Sequence, residues 1–454
     1  MARTQHPVVL LHGVFGYGRT RPLWNRWFDY WPHEKLAALD AHYIALDLGV
    51  FSSDHDRACE AFYQLYGGRV DYGDAHAREF GHDRYGATFD TPLFPQWSAE
   101  RPVHLLGHSL GATTALALYQ LLTIDFFGVG SDHRWVYSII SIAGPLSGTT
   151  LPHYFGFYDT EPSYAPLTRV LTVGVCLWLR LQTQFPALRH VLDYRMPQWG
   201  RSPAISLRQI FSARNAMLTS RDMSLFENQP AHRLARNAQL QHMDKLHLIS
   251  IASGSRSSTP TTALALLVPV CAMATASAVA LACGERTLAV RLSASTAAMW
   301  LWLRKRIVLP LVQWRMRRHT HDLPELFEGF NRAEWEANDG AINVCSMQLP
   351  RVVAKDDECS DGDGAGESDD DAASTASTAS SSESVTNRAE PLALSRTLDE
   401  RACGRPRQRG VWYTCQVPHS DHKLGTNFDR HATPAVLKQV LTLLADEFED
   451  RITR

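Results

Sequence analysis

The sequence has no cysteine arrangement that indicates a metal finger or a disulfide framework. Its eight cysteines are scattered along 454 residues, with neither a C-x-x-C pair nor the spacing of a zinc finger. We therefore expect most of them to be buried thiols and the protein to work in a reducing compartment.

The chain also lacks an excess of charge of either sign. Its 45 Lys and Arg against 47 Asp and Glu give a formal net charge of -2, so no global field favours a nucleic acid partner. An apolar leader is missing too, because residues 1–5 are polar and the run at 7–11 already reads as a strand. We expect an intracellular protein without a signal peptide, whose contacts with a membrane would come from inside the chain.

Apolar residues make up 45% of the chain, enough for a large core, and one apolar run carries the main chemical signal. The stretch VHLLGHSLG at 103–111 begins as a short buried strand (103–106), and a helix-compatible run (112–122) follows. Between them, G-H-S-L-G fits the G-x-S-x-G nucleophile elbow, whose glycines allow a sharp turn that exposes the Oγ of Ser109. This context favours a nucleophile over an ordinary turn.

A second glycine-rich turn complements the elbow. The predicted strand at 8–11 ends in HGVFGYG at 12–18. In α/β hydrolases such a loop supplies one backbone N–H of the oxyanion hole, and the residue after the nucleophile supplies another. These donors would be Val14 and Leu110. Taken alone, the loop reads equally well as a plain strand-to-helix turn.

After a second predicted strand at 42–47, the sequence contains two long motifs. They are S-S-x-x-D-R-A-C-E at 52–60 and G-G-x-V-D-Y-G-x-x-H at 67–76, followed by His82. The motifs resemble those of the zinc-containing thermoalkalophilic bacterial true lipases and the staphylococcal lipases. The resemblance covers most of 6–256, then 330–350 and 411–450. It implies an α/β-hydrolase fold, with a mainly parallel sheet flanked by helices, a helical lid and a zinc-bearing excursion.

The resemblance also implies a catalytic triad. An ester carbonyl needs a nucleophile, a base and a group that orients the base, and this fold orders them Ser, acid, His. Asp339 lies in N-D-G-A-I-N-V-C-S-M at 338–347, which is similar to a family motif, and His422 lies in a D-H pair near the C-terminus. We predict the triad Ser109, Asp339 and His422. His419 is the rival base, and the D-H pair selects His422.

A metal site is implied at four residues. Asp56, His76 and His82 match the family motifs, and Asp222 lies in a segment (219–227) that matches more loosely. Two imidazoles and two carboxylates make a closed tetrahedral site, so we predict structural zinc. The alternative is a set of surface polar residues. Lys423 replaces the acid that the family carries after the catalytic His, so a calcium site is doubtful and is not part of the prediction.

Three segments interrupt or cover the predicted core. The lid region (about 155–195) contains the apolar run 170–179, which is either a core helix or a lid over the acyl site. An insert at 257–320 contains an uncharged apolar stretch (263–283) long enough for a bilayer; a membrane segment and a buried helix pair are both open. Residues 353–408 are rich in Asp, Ser and Gly and predict a disordered acidic insert.

The core is therefore assigned in three parts. Residues 1–256 form its first part, with the zinc excursion at about 52–90. Residues 321–352 carry the catalytic acid, and 409–454 carry the catalytic His and an amphipathic helix (434–447). The predicted function is hydrolysis of carboxylic esters of lipids, of triacylglycerol lipase type, through an acyl-enzyme. A lipid acyltransferase and a non-catalytic membrane-associated scaffold are the alternatives.

Overall fold

The computed structural model describes residues 4–19, 29–39, 41–157, 166–212, 215–254, 309–353 and 408–447, with isolated positions between these ranges. The strands are β1 Val8–Leu11, β2 Tyr43–Ala45, β3 Gly68–Asp71, β4 Tyr85–Phe89, β5 Val103–His108, β6 Val136–Ile142, β7 His247–Gly254, β8 Arg351–Val352, β9 Glu390–Pro391, β10 Ser395–Thr397 and β11 Trp412–Pro418. The helices are α1 His33–Ala38, α2 Asp54–Tyr66, α3 Asp74–Phe80, α4 Leu110–Thr123, α5 Leu151–Tyr154, α6 Pro166–Gln184, α7 Leu207–Ile210, α8 Ala216–Thr219, α9 Ser224–Glu227, α10 Pro230–Asn237, α11 Leu309–Asp322, α12 Arg332–Trp335, α13 Val344–Gln348 and α14 Thr433–Glu447.

Seven strands form one sheet in the order β10-β11-β7-β6-β5-β1-β2, and every pairing in it is parallel. Parallel strands need a crossover between them, and the helices supply these crossovers. All strands of the sheet end at the same edge, so the loops that follow β1, β5, β7 and β11 converge there. The candidate site lies at this edge.

Both faces of the sheet are covered by helices, because successive side chains of its strands alternate between two cores. Val9, Leu105 and Leu248 belong to the core on one face, with α2 and α4. Leu106 and Ile249, each one residue further along its strand, belong to the core on the other face, with α14. Strands buried on both faces read as continuous apolar runs, which is why β1 and β5 could be predicted from the sequence.

Two excursions leave this core on the side of the site. The first follows α2 and contains the antiparallel pair of strands β3 and β4, with α3 between them in the sequence. The second follows β6 and contains α6, whose inner side packs with residues 194–223 in a separate apolar cluster; its members are Cys176, Leu179, Met196, Trp199, Ala204, Ile205, Ile210, Met217 and Met223.

The predicted disordered insert at 353–408 contains two short strands. Within 353–408, β9 pairs with β8, and β10 joins the main sheet as an edge strand on β11. Backbone hydrogen bonds to β11 order the short segment β10, which the average composition of the insert does not predict. The apolar stretch 263–283 lies outside the described residues. Among the helices that the structure does describe, none has the length and apolar character needed to cross a bilayer.

Candidate active site

Ser109 lies directly after β5, in the turn that leads into α4. Its backbone is in an unusual region (φ 56°, ψ -127°), and its N–H donates to the carbonyl of Ile142 at 2.9 Å. The neighbouring glycines are required by space, since a Cβ at Gly111 would overlap the carbonyl oxygen of Leu11. This is the strained strand-to-helix turn that the elbow motif predicts.

The three residues of the predicted triad form one chain of hydrogen bonds. His422 Nε2 lies 2.8 Å from the Oγ of Ser109, and its Nδ1 lies 2.9 Å from Asp339 Oδ2. These are distances at which a proton can pass between serine and imidazole. His419, the alternative candidate for the base, is exposed and is not part of these hydrogen bonds.

Asp339 is fully buried and is held as an acceptor by several donors. Its Oδ1 accepts from the backbone N–H groups of Ala341 (2.9 Å) and Ile342 (2.8 Å), and its Oδ2 accepts from the hydroxyl of Ser253 at 2.6 Å. The first two bonds come from the tight N-D-G turn. Ser253 was missed by the sequence reasoning, although its place at the end of the apolar run of β7 is a signal that could have found it.

The two residues predicted to supply the oxyanion donors line the cavity together with Ser109. Leu110 is the first residue of α4, so its N–H is one of those without an intrahelical acceptor. Val14 follows Gly13, whose close approach to the nucleophile needs a glycine because a Cβ there would lie 2.7 Å from the Cβ of Ser109. His12 supports this loop, with its Nδ1 2.8 Å from the Gly13 carbonyl.

Ser109 and His422 open into a cavity of about 680 Å³ that has a largely apolar lining. The face of α6 that carries Leu171, Gly174 and Trp178 forms part of its wall. The opposite face, with Cys176, packs in the cluster below. The helix is therefore neither a plain core helix nor a surface helix, since one side is structural and the other borders the cavity.

The four predicted metal ligands come together away from the triad. His76 Nε2 lies 3.2 Å from Asp56 Oδ1 and 3.1 Å from Asp222 Oδ1, and His82 Nε2 lies 3.2 Å from Asp222 Oδ2. One ligand atom of each residue lies within 4.8 Å of those of the other three. Buried atoms of all four have no hydrogen-bond partner among the described residues. Because such atoms are costly to bury, this cluster fits a bound metal ion.

The electrostatics of the cluster agree with that fit. Burial alone would lower the pKa of His76, but Asp222 and Asp56 raise it to about 10. Burial alone would raise the pKa of Asp222, but His76 and His82 lower it to about 2. In a metal-free state, protons on the imidazoles balance the two buried carboxylates. A divalent cation would take over that role and leave the imidazoles neutral.

The surroundings of the cluster contain residues that the sequence reasoning did not assign. Gln198 donates to Asp56 Oδ2 at 2.7 Å and so connects the cluster to the segment below α6. His55 stacks on His76 with ring centroids 3.9 Å apart.

Comparison with known proteins finds similarity to lipases in the N-terminal part of the chain. A family model described as "Lipase-like, C-terminal domain" matches residues 4–125. Lipase 2 of Staphylococcus aureus is 31% identical over 175 residues, which are 34% of this chain and 25% of that protein. Lipase 1 of S. aureus is 38% identical over 170 residues, 32% of this chain and 25% of the relative. Over this N-terminal part, the chain is similar to the staphylococcal lipases.

Solved structures show which fold the chain has. The Staphylococcus hyicus lipase matches with a TM-score of 0.59 and 18% identity, over 96% of this chain and 93% of that one. Lipase 1 of Pelosinus fermentans matches with a TM-score of 0.60 and 19% identity, over 97% and 99% of the two chains. The predicted α/β-hydrolase fold is confirmed. The chain spans about a quarter of the length of the curated relatives that it matches.

Proposed function

We propose that this protein is a serine hydrolase that cleaves carboxylic esters of lipids through an acyl-enzyme. The observation that carries the proposal is the hydrogen-bonded chain Ser109–His422–Asp339 at the floor of an apolar cavity. A nucleophile, a base and a buried acid in this order are what acyl transfer requires.

In the proposed reaction, His422 accepts the proton of Ser109 as its Oγ attacks the ester carbonyl. The N–H groups of Val14 and Leu110 stabilise the oxyanion, and His422 then protonates the alcohol as it leaves. Water, activated by His422, attacks the acyl-enzyme in the second half of the reaction. Asp339 keeps the imidazole in the tautomer with its proton on Nδ1 and stabilises the imidazolium.

A lipid substrate is supported by the cavity and by its rim. Three large apolar side chains beside the cavity are exposed: Phe15 (53%), Val170 (67%) and Leu171 (53%). An apolar acyl chain would gain about 0.8 kcal/mol for each methylene that it buries there. The same rim supports association with a lipid surface, which is part of the proposal. Sedimentation with phosphatidylcholine vesicles would test it, with a Val170→Asp, Leu171→Asp double variant as the comparison.

We also propose zinc as the metal held by Asp56, His76, His82 and Asp222. Two nitrogen and two carboxylate ligands suit zinc and leave no open position, so the ion would tie the excursion together. Bound there, zinc would supply structural cross-linking, and the ester chemistry needs only the groups around Ser109.

The deciding experiment is hydrolysis of p-nitrophenyl esters of increasing acyl length by the wild type and Ser109→Ala. Activity that rises with chain length and is lost in Ser109→Ala is expected. Ser98→Ala, at a half-buried serine that does not line the cavity, is the matched control and should keep full activity. Equal rates for the wild type and Ser109→Ala would refute the proposal.

Two further measurements separate the alternatives. Product analysis in the presence of added long-chain alcohols distinguishes a hydrolase, which releases free acid, from an acyltransferase, which forms a new ester. Labelling with a fluorophosphonate distinguishes both enzymes from a scaffold, because only a nucleophilic Ser109 reacts.

A further inference from the structure

Tyr30 lies under the candidate site and links two of its loops. Its hydroxyl accepts a hydrogen bond from the N–H of Gly13 at 3.0 Å and lies 2.6 Å from His108 Nδ1. His108 Nε2 in turn lies 2.8 Å from the carbonyl oxygen of His422. The oxyanion loop and the catalytic histidine are thus connected through two buried side chains.

The direction of each hydrogen bond in this chain follows from the chemistry of the groups. The N–H of Gly13 can only donate, so the Tyr30 oxygen accepts there and its single proton goes to His108 Nδ1. His108 must then carry its own proton on Nε2, where it donates to the carbonyl of His422, which can only accept. All three bonds are satisfied by one arrangement of protons.

Both side chains remain neutral across the ordinary assay range. Burial raises the pKa of the Tyr30 hydroxyl. Burial and the neighbouring His422 lower the pKa of His108 well below its ordinary value. The arrangement of protons is therefore stable wherever His422 works as a base.

We propose that Tyr30 and His108 are positioning residues that hold the oxyanion loop and the His422 loop in register with Ser109. Gly13 precedes the predicted oxyanion donor Val14, so the bond to Tyr30 sets where that donor points. The bond from His108 to the His422 backbone sets the height of the imidazole over Ser109. The inference rests on the proposed serine hydrolase function.

The first test is Tyr30→Phe, which removes only the hydroxyl at the centre of the chain. We expect kcat to fall about 10- to 100-fold with KM within about two-fold, because small misplacements of catalytic groups have effects of this size. The inhibition constant of an alkyl boronic acid, which forms a tetrahedral adduct on Ser109, should rise by the same factor as kcat falls. Tyr119→Phe is the control, since Tyr119 is also a buried tyrosine and its hydroxyl donates one hydrogen bond, to the carbonyl of His242 (2.7 Å), outside the cavity lining.

Substitutions of His108 separate the two halves of the chain. His108→Asn keeps an acceptor for Tyr30 but loses the donor to His422, and we expect it to shift the acid limb of the kcat/KM pH profile. His108→Gln keeps a donor toward His422 but loses the acceptor, and we expect the boronate affinity to fall instead. Adding Tyr30→Phe to His108→Gln also removes the bond from Gly13, but the loss should be smaller than the sum of the two single losses, because both variants remove the shared Tyr30–His108 bond.

The outcomes distinguish this inference from the proposed function. If the wild type hydrolyses esters and Tyr30→Phe keeps its kcat, or loses no more than Tyr119→Phe, the positioning inference is wrong and the hydrolase stands. If the wild type neither hydrolyses esters nor reacts with a fluorophosphonate, the proposed function itself has failed.

Discussion

Gly174 sets a testable limit on the acyl chain that the cavity accepts. It lies in the middle of α6, on the face that lines the cavity, between Leu171 and Trp178 at helical spacing. A Cβ built there has no heavy atom within 4 Å, so the position faces open space. Glycine inside a helix is unfavourable by about 0.5–1 kcal/mol relative to alanine, so the open space has a cost in stability.

Replacing Gly174 by Phe should shorten the preferred substrate. In the wild type, kcat/KM should rise about four-fold for each methylene that enters the cavity, from about 0.8 kcal/mol per buried methylene. A phenyl ring that displaces three methylenes would remove about 2.4 kcal/mol, or about 60-fold, from the longest esters. Short esters, which do not reach α6, should be hydrolysed as before.

The assay is kcat/KM for p-nitrophenyl esters from acetate to palmitate. Gly174→Ala should keep the wild-type profile and gain stability, since a methyl group fits and alanine favours the helix. Leu181→Phe places the same ring on an exposed part of α6 outside the cavity lining and is the control for bulk alone. A Gly174→Phe profile that is parallel to the wild type at every length would refute the reasoning.

Three other predictions concern the acid, the metal and the buried histidines. Asp339→Asn should lower kcat by about 10³- to 10⁴-fold with little change in KM, because the amide favours the wrong imidazole tautomer. A kcat of Asp339→Asn equal to that of the wild type, measured in steady-state assays, would contradict this role. Chelation should lower the melting temperature by about 2–4 °C for each kcal/mol of metal binding, while the initial rate of hydrolysis at low temperature stays the same. Asp222→Asn should have the melting temperature of the chelated protein. An unchanged melting temperature on chelation, with no metal found by mass spectrometry, would refute the zinc proposal. Burial lowers the pKa of His104 to about 3, so its contribution to stability is present above pH 6.5 and is lost as the pH falls below that value. Between pH 7 and pH 5, the free energy of unfolding in urea should therefore fall by about 2 kcal/mol less in His104→Leu than in the wild type. Equal decreases in the two proteins would contradict a buried, neutral His104.

Much of the fold could be predicted because its signals are local. Strands buried on both faces produce apolar runs, and β5 followed by α4 reproduces the strand and helix expected around Ser109. The order Ser109, Asp339, His422 was also predicted, since the fold fixes the order in which the strand ends present their residues. The cluster of Asp56, His76, His82 and Asp222 could be named because the sequence resembles the family motifs that carry the zinc ligands.

The residues that were not predicted depend on contacts between distant parts of the chain. Ser253 reaches Asp339 across 86 positions, and His108 reaches the backbone of His422 across 314. A local pattern can point to a polar residue at a strand end, as for Ser253, but it does not show which distant residue that side chain contacts. The edge strand β10 was missed for a related reason, because its place depends on pairing with β11 and its own composition suggests disorder.

The metal cluster has a consequence for the unfolded chain. Asp56 and Asp222 are separated by 166 positions, so an ion that joins them closes a very long loop. By the chain-entropy argument used for disulfides, closing a loop of that length lowers the conformational entropy of the unfolded chain and so destabilises it by about 5 kcal/mol. Thiol reductants do not break a cross-link of this kind, whereas chelators remove it. The stability of the fold would therefore depend on the metal concentration and not on the redox potential of its surroundings.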